Sequence, residues 1–368
     1  MKVPFLSLAI NDDLKRQKLL DRIDSVLRRG ILIDGPEIVE LEEKLRIITG
    51  RQHALVCSSG TGALYLGYRS LPIPPKSEIL MPALSWISTA QSCIMAGHIP
   101  KFVDCNENYQ MDVKQLAGQI TEKTKAIVVV NLCGMMSDID NILQLCEKHN
   151  LYLIEDGSQS FGNRIGMLIS GGIGTVSCSS LGAMKAFSGI CEGGVVTTNV
   201  EEIDRLIRKL RYVGMENKNN SAHISLNFRM DTVNAGCLLE EIDCVEEISD
   251  ARISLANLYY EKLCNIANYI PKPVITEIPY NFPCRFEKDR ELEQFLLKKE
   301  IEVKRFSSHY MPGHDSIVDY CSRHNLILPV FSCEKLISET LLLPFHQCIT
   351  VEQADYVCDS IFDFFKNQ

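Results

Sequence analysis

One lysine of this 368-residue sequence stands in surroundings that favour chemistry. Lys185 lies in the stretch SSLGAMKAF, among small and apolar residues and with no acid adjacent in sequence. An amine in such a setting, without a partner carboxylate, can act as a nucleophile toward carbonyl groups. The same lysine could equally be an ordinary solvated side chain. The residues that surround it in the fold must decide between these two interpretations.

A carboxylate follows a short apolar run in the segment IEDGSQ. Asp156 is expected at the end of a buried strand, where an acid needs a partner to remain charged. A salt bridge or a helix cap would supply that partner. The protonated ring nitrogen of a heterocyclic cofactor would supply it equally well, so both interpretations stay open on this segment alone.

The segment SSGTGAL, residues 58–64, lies between a predicted strand and a predicted helix. Backbone N–H groups at the start of a helix can hold an anion such as a phosphate. An ordinary helix cap with a tight turn explains the same residues. A dinucleotide-binding fingerprint fits less well, because Tyr65 stands where a small residue is needed. A Rossmann-type oxidoreductase is therefore the weaker alternative.

These segments belong to a chain that alternates short apolar runs with amphipathic stretches. The pattern predicts an α/β protein, with a mostly parallel sheet flanked by helices. Polar residues and glycines follow the predicted strands, at the edge where open α/β sheets bind ligands. The clearest strand signals are residues 53–57, 78–81, 126–130 and 151–154.

The character of the sequence changes near residue 243. A helical pattern over 242–263 leads into a proline-rich stretch and then into shorter α+β-like pieces. We therefore predict a large domain over 13–242 and a smaller C-terminal domain over 243–368. Residues 1–12 are expected to pack with the smaller domain.

Composition limits the possible functions. With 46% hydrophobic and 23% charged residues, the chain has the profile of a globular protein. A net charge of −9 disfavours nucleic acid as the main partner. The 15 cysteines show no C-x-x-C spacing, which removes the usual zinc and dithiol signatures, and their odd number argues against a fully paired disulfide framework. Without an apolar run long enough for a membrane helix, we expect a cytoplasmic protein in a reducing compartment.

Several motifs in order along the chain resemble one family. The sequence looks like the DegT/DnrJ/EryC1/StrS sugar aminotransferases, which use pyridoxal 5'-phosphate (PLP) and have the fold called type I. That fold has a large domain with a mostly parallel seven-stranded sheet, and a smaller α+β domain. The motifs are VPFLSL, IDGPEIVELEEKL, SSGTGAL, EILMPALSWISTAQS, GHIPKFVD, IEDGSQSFG, SSLGAMK with EGG, NFRMD and LLLPFHQCITVEQADYV.

The resemblance assigns roles to three residues around the reactive part of the cofactor. Lys185 resembles the lysine that forms the internal Schiff base and then moves the proton between cofactor and substrate. Asp156 resembles the acid that pairs with the pyridine nitrogen. Gln159 resembles the residue that contacts the ring face or the phenolic oxygen.

Further residues resemble the family's remaining cofactor and substrate contacts. Gly60, Thr61 and Ser180 match phosphate ligands, and Trp86 matches an aromatic residue that stacks on the ring. Asn227 matches a residue that reaches the phosphate from the second subunit, which implies a homodimer with shared active sites. Two candidate substrate residues are His309, and Arg229, which could equally form a surface ion pair.

The resemblance also implies a reaction. L-glutamate would give its amino group to PLP, and the group would pass to a nucleotide-linked keto-deoxysugar at C3 or C4. Family members that act as dehydratases carry histidine at the position of Lys185, so lysine favours transamination. The sequence departs from the usual pattern at NLCG (131–134) and at Gly157-Ser158, which bears on the sugar contacts. A keto-cyclitol acceptor and a non-catalytic binding or regulatory protein are the alternatives.

Overall fold

A seven-stranded sheet forms the centre of the protein in the computed structural model, which describes residues 1–366. The strands lie in the order β1-β9-β8-β5-β4-β2-β3. They are β1 (His53–Cys57), β2 (Glu78–Pro82), β3 (Ile99–Val103), β4 (Thr124–Val130), β5 (Tyr152–Asp156), β8 (Val176–Ser180) and β9 (Gly194–Thr198). The predicted α/β fold with a mostly parallel seven-stranded sheet is confirmed.

The strand directions place several loops at one edge of the sheet. Strands β2, β3, β4, β5 and β8 are parallel to one another. Strand β9 is antiparallel to both β8 and β1, so β1 runs in the same direction as the parallel set. The carboxyl ends of β1, β2, β5 and β8 therefore meet at one edge, as expected for a ligand-binding edge of an α/β sheet.

Helices cover the sheet and continue to the end of the described chain. Helix α6 illustrates the local signals: Asp138 caps its first turn, and Asn150 ends it in the left-handed conformation at φ 52°. The helices are α1 (Asp13–Arg29), α2 (Pro36–Thr49), α3 (Gly60–Ser70), α4 (Ser88–Met95), α5 (Val113–Gln119), α6 (Ile139–His149), α7 (Glu201–Leu210), α8 (Thr232–Ile242), α9 (Val245–Leu263), α10 (Asp289–Lys298), α11 (Asp315–Arg323), α12 (Cys333–Ser338) and α13 (Val351–Lys366).

Smaller sheets complete the fold. A three-stranded sheet in the order β12-β14-β13 consists of β12 (Phe282–Arg285), β13 (Lys304–Arg305) and β14 (Thr340–Leu343). Two hairpins are formed by β6 (Arg164–Ile165) with β7 (Leu168–Ile169), and by β10 (Met215–Asn217) with β11 (Asn220–Ser221). The predicted helix over 242–263 is wrong in its start, because α8 ends at Ile242 and α9 begins at Val245.

The hydrophobic clusters show how the C-terminal third meets the sheet. One cluster joins Val3 to the inner faces of α9, α10, α13 and the three-stranded sheet. A larger cluster under the central sheet also contains Phe306, Met311 and Leu342. The elements after α9 therefore pack both with one another and against the large sheet. The division at residues 242 and 243 stays a prediction.

Three further findings concern residues 1–366. All fifteen cysteines are free thiols, and most of them are buried as small apolar side chains. In this part of the chain no group of histidine, cysteine and acidic residues has the arrangement of a metal site. None of its helices is both long enough and apolar enough to span a bilayer.

Candidate active site

Lys185 lies in the loop that follows β8. Its backbone N–H donates to the Gly182 carbonyl at 2.8 Å, which closes a turn. Lys185 lines a pocket together with Gln159, Ser180 and Tyr280. Its Nζ lies 4.7 Å from the centre of the Tyr280 ring. The half-buried lysine therefore lies in a pocket that it shares with these residues.

Asp156 is the last residue of β5, at the middle of the sheet. Only 5% of it is exposed. Its carboxylate accepts hydrogen bonds from the Thr89 hydroxyl at 2.7 Å and from the Ser158 N–H at 3.2 Å. Among the ion pairs within residues 1–366, none includes Asp156. A buried carboxylate with neutral donors only is suited to a positively charged group brought in by a ligand.

The neighbouring acid, Glu155, has a structural role. Because side chains alternate along a strand, it points to the opposite face of the sheet from Asp156. Its carboxylate accepts from the Ser170 hydroxyl at 2.6 Å and from the Gly171 and Ile173 N–H groups, both at 3.0 Å. Burial raises the pKa of Glu155, and these hydrogen bonds oppose the rise. Glu155 thus ties β5 to the chain around residues 170–173.

The start of α3 adjoins Ser180 and forms a cradle for an anion. Ser59 caps the helix, accepting a hydrogen bond from the Gly62 N–H at 3.0 Å. A Cβ at Gly60 would lie only 2.5 Å from the Ser180 Cβ, so glycine is needed for this close approach. Thr61 is held by a 2.8 Å hydrogen bond between its hydroxyl and that of Ser88. Free N–H groups and hydroxyls at a helix N-terminus suit a phosphate.

The segment 85–89, after β2, connects these parts. Thr89 reaches Asp156, and Ser88 reaches Thr61. The Ser85 N–H donates to the His309 carbonyl at 2.9 Å. The Trp86 ring lies edge-on to the His309 ring, with 6.2 Å between centres, and is 53% exposed. One short segment thus links the acid, the cradle and the C-terminal part of the chain.

His309 is buried close to Lys185. It is 9% exposed, and its ring lies 4.6 Å from the Phe306 ring, centre to centre. Burial lowers the pKa of His309 to about 4, and the positive charge of Lys185 acts in the same direction. His309 is therefore neutral at neutral pH.

Gln159 is fixed by the turn that follows β4. Its side-chain oxygen accepts a hydrogen bond from the Cys133 N–H at 2.8 Å. Cys133 has φ 61° and Gly134 has φ 85°, so the chain reverses sharply there. This turn belongs to the NLCG segment, where the sequence departs from the family pattern. Asn131 meanwhile donates to Glu155 at 3.2 Å and is fully buried.

Asn227 and Arg229 lie apart from Lys185 and Asp156. The Asn227 side chain is exposed and accepts a hydrogen bond from the Arg229 N–H at 3.2 Å. The Arg229 guanidinium pairs with Asp34 at 3.2 Å and stacks on the Tyr212 ring at 3.6 Å. Between them, the Phe228 carbonyl accepts from the Ser58 N–H at 2.7 Å. The loop is therefore attached to the start of the phosphate cradle, with Asn227 directed to the surface.

Sequence reasoning missed several residues of the site. Thr89 orients Asp156, and Ser88 orients Thr61. Ser158 orients Ser180, because its hydroxyl accepts a 3.0 Å hydrogen bond from the Ser180 N–H. The hydroxyl residues of SWIST, directly after a predicted strand, were the available signal. Tyr280 follows a proline-rich stretch and had no signal.

The residues fit PLP in three respects. The cofactor has a phosphate, a ring nitrogen that can be protonated, and an aldehyde. The site offers a cradle that a Cβ would fill, a buried acid that has no ion-pair partner among the described residues, and a primary amine. The segment 85–89 connects the cradle to the acid. Lys185 lines the same pocket as Ser180, which belongs to the cradle, and Gln159.

Comparison with known proteins gives a consistent result. The sequence profile of the DegT/DnrJ/EryC1/StrS aminotransferase family matches residues 13–362. A UDP-2-acetamido-2-deoxy-3-oxo-D-glucuronate aminotransferase from Pseudomonas aeruginosa is 33% identical over 254 residues, which cover 67% of this chain and 71% of that protein. A protein from Geobacillus stearothermophilus named as a pleiotropic regulatory protein is 26% identical over the full length of both chains.

A solved structure agrees in fold and in cofactor. The structure of NtdA from Bacillus subtilis, with bound pyridoxamine phosphate (PMP), superimposes with a TM-score of 0.90 at 26% identity. The match covers 99% of this chain and 85% of the other. These similarities support the PLP-dependent interpretation of the sequence over the Rossmann alternative.

Proposed function

Because the chain belongs to the DegT/DnrJ/EryC1/StrS aminotransferase family, we propose that it transfers the amino group of L-glutamate to the ketone of a nucleotide-linked deoxysugar. One observation carries the proposal. The Lys185 amine, the buried Asp156 carboxylate and the cradle of Gly60 and Ser180 lie at the same edge of one sheet. The relative from Pseudomonas aeruginosa, named for a UDP-linked keto sugar, supports the class of acceptor.

The cofactor would be held at both ends by groups that are already oriented. When bound, PLP supplies an electron sink and carries the amino group between the two substrates. Asp156 would hold the positive charge of the ring nitrogen, with Thr89 and Ser158 fixing its carboxylate. Thr61 and Ser180 would bind the phosphate together with the first N–H groups of α3.

Lys185 would hold the cofactor and move a proton at its Nζ atom. A positioned amine that takes a proton from one carbon and returns it to another acts as a general acid and base. His309 is neutral at neutral pH, so it adds no positive charge against the protonated lysine. Its proximity to Lys185 and Trp86 makes it a candidate for contact with the sugar. Gln159, fixed by Cys133, would contact the ring.

We further propose a cytoplasmic homodimer in which Asn227 completes the phosphate site of the second subunit. The exposed side chain of Asn227, on a loop held by Arg229 and Asp34, supports this arrangement. Neither Lys185→Ala nor Asn227→Ala homodimers should be active. Mixing the two variants should restore part of the activity, since one site of each mixed dimer would be intact. No recovery despite proven subunit exchange would contradict shared sites.

A second function is favoured by one observation, the regulatory name of the relative from Geobacillus stearothermophilus. A purely regulatory protein has no chemical need for the Lys185 amine together with the Asp156 acid. Assays with L-glutamate and a panel of nucleotide-linked keto-sugars and keto-cyclitols test the alternatives. The compound in the panel that is converted to an amine identifies the acceptor. Cofactor binding without any amino transfer from glutamate would favour the regulatory function.

A further inference from the structure

We infer that Tyr280 is a positioning residue for Lys185, and that its ring face stabilises the protonated amine. The inference rests on the proposed role of Lys185 as the reactive amine. The Nζ atom lies 4.7 Å from the centre of the Tyr280 ring, within the range of a cation–π contact. Both residues line the same pocket, with Gln159 and Ser180.

The backbone of Tyr280 is fixed from two sides. Its N–H donates to the Cys133 carbonyl at 2.9 Å. Its carbonyl accepts from the Arg252 guanidinium at 3.2 Å, and the Pro279 carbonyl accepts from the same nitrogen at 3.0 Å. A ring whose backbone is held in this way meets the lysine without a large loss of conformational freedom.

Arg252 is an unusual clamp, because it is 2% exposed and its partners within residues 1–366 are neutral oxygens. Besides the two carbonyls, it donates to the side-chain oxygen of Gln347 at 3.0 Å. Burial lowers the pKa of Arg252 to about 10, which still leaves the guanidinium charged at neutral pH. A buried charge is costly. Because this one is spent on holding the Pro279 and Tyr280 carbonyls, the position of the Tyr280 backbone is important to the fold.

The turn at Cys133 sets two walls of the lysine pocket at once. Its N–H holds Gln159, and its carbonyl holds Tyr280. Gly134 allows the close approach: a Cβ there would lie 2.8 Å from the Tyr280 nitrogen and would overlap the Ile278 carbonyl oxygen. The NLCG segment therefore couples the residue facing the cofactor ring with the residue facing the amine.

The contact has a chemical consequence for the proton on Lys185. A cation–π contact stabilises an ammonium group that lies against the face of the ring. The protonated amine is the form that delivers a proton to carbon. Tyr280 thus helps Lys185 to keep the proton that it must return, and the phenolic hydroxyl is not required for this effect.

The test measures the reactivity of Lys185 in the full-length protein before PLP is added. Acetic anhydride labels uncharged amines, and mass spectrometry after digestion gives the labelling rate of Lys185 at pH 7. Tyr280→Leu removes the ring face and should raise this rate roughly fivefold. Tyr280→Phe keeps the ring face and should stay within about twofold of the wild type. Tyr356→Leu, a half-buried tyrosine on α13, is the matched control and should leave the rate unchanged.

Three results would overturn the inference: an unchanged rate in Tyr280→Leu, an equal rise in Tyr280→Phe, or an equal rise in Tyr356→Leu. The labelling does not depend on the reaction of the enzyme. Failure of the proposed function would appear separately, as wild-type protein whose bound PLP does not respond to L-glutamate. Gly134→Ala provides a second variant, because it disturbs the Tyr280 backbone without changing the ring, and should also raise the rate.

Discussion

The Thr89 hydroxyl donates a 2.7 Å hydrogen bond to Asp156 and lies 2.7 Å from the Ser85 hydroxyl. Because the Thr89 hydroxyl donates its hydrogen bond to the carboxylate, its oxygen accepts a hydrogen bond from the Ser85 hydroxyl. The chain of hydroxyls begins directly after β2 and ends on the central strand β5. It fixes the orientation of the acid at the ligand-binding edge of the sheet.

Thr89→Val should weaken the binding of PLP. The substitution keeps the shape but removes a hydrogen bond to a charged group, which is worth about 1.5–3 kcal/mol and so roughly tenfold or more in affinity. Titration of cofactor-free protein with PLP, followed by absorbance, measures the change. Thr49→Val is the control, because the Thr49 hydroxyl is buried and bonded to the Leu45 carbonyl, on α2. Equal affinity of Thr89→Val and wild type would refute the role.

Asp156→Asn and Glu155→Gln should have opposite effects. Asp156 has no ion-pair partner within residues 1–366, and its hydroxyl partner Thr89 can turn to accept from the new amide, so Asp156→Asn should fold with little loss of stability while kcat falls roughly a hundredfold. Glu155 accepts at both carboxylate oxygens, from the Gly171 and Ile173 N–H groups at Oε2 and from the Ser170 hydroxyl and the Asn131 amide at Oε1, and an amide cannot accept at both of its ends. Glu155→Gln should therefore lose about 2–4 kcal/mol of unfolding free energy.

Urea unfolding of the cofactor-free variants, compared with steady-state kinetics, separates the two acids. A large loss of stability in Asp156→Asn, or full activity in that variant, would contradict the assignment of Asp156 to the cofactor.

Gly60→Ala should disrupt the phosphate cradle. The new Cβ would lie 2.5 Å from the Ser180 Cβ, so the two segments must move apart. Overpacking of this kind costs about 1–3 kcal/mol, which corresponds to roughly fivefold to 150-fold weaker binding of PLP. Gly118→Ala is the matched control on α5, because a Cβ there meets nothing within 4 Å. Unchanged affinity in Gly60→Ala would show that the phosphate binds elsewhere.

His309 should make the protein less stable in acid. Its pKa falls from 6.5 to about 4 on folding, so the unfolded chain binds more protons between these values. The neutral histidine makes its whole contribution to the unfolding free energy above pH 6.5. This contribution, up to about 3 kcal/mol, is lost as the pH falls toward 4. In His309→Gln the unfolding free energy should depend less on pH over this window. His324→Gln, at an exposed histidine, should retain the wild-type dependence, and the same slope in both variants would refute the prediction.

Much of the site followed from where residues stand relative to strands. Lys185, Asp156, Ser180 and Gly60 all come at or just after strands whose carboxyl ends share one edge, and the apolar runs revealed those strands. The strand pattern also distinguishes Asp156 from Glu155, because side chains alternate along a strand and these two point to opposite faces of the sheet. Such features depend on local sequence alone.

Other features depend on contacts between distant segments and left no local signal. Tyr280 lies in a linker whose course is decided by Arg252 and by the turn at Cys133. The break between α8 and α9 also escaped prediction, because the helical pattern continues through Asp243 and Cys244. In both cases tertiary packing, and not the local pattern, decides the conformation.

The central claim is that Lys185 and PLP together transfer the amino group of L-glutamate. The most direct measurement follows the visible absorption of the PLP-loaded protein while L-glutamate is added, without any acceptor, and assays 2-oxoglutarate in the same sample. We predict loss of the visible band and about one equivalent of 2-oxoglutarate per active site, with neither change in Lys185→Ala. A visible band that persists with no 2-oxoglutarate formed, or an equal response in Lys185→Ala, would contradict the claim.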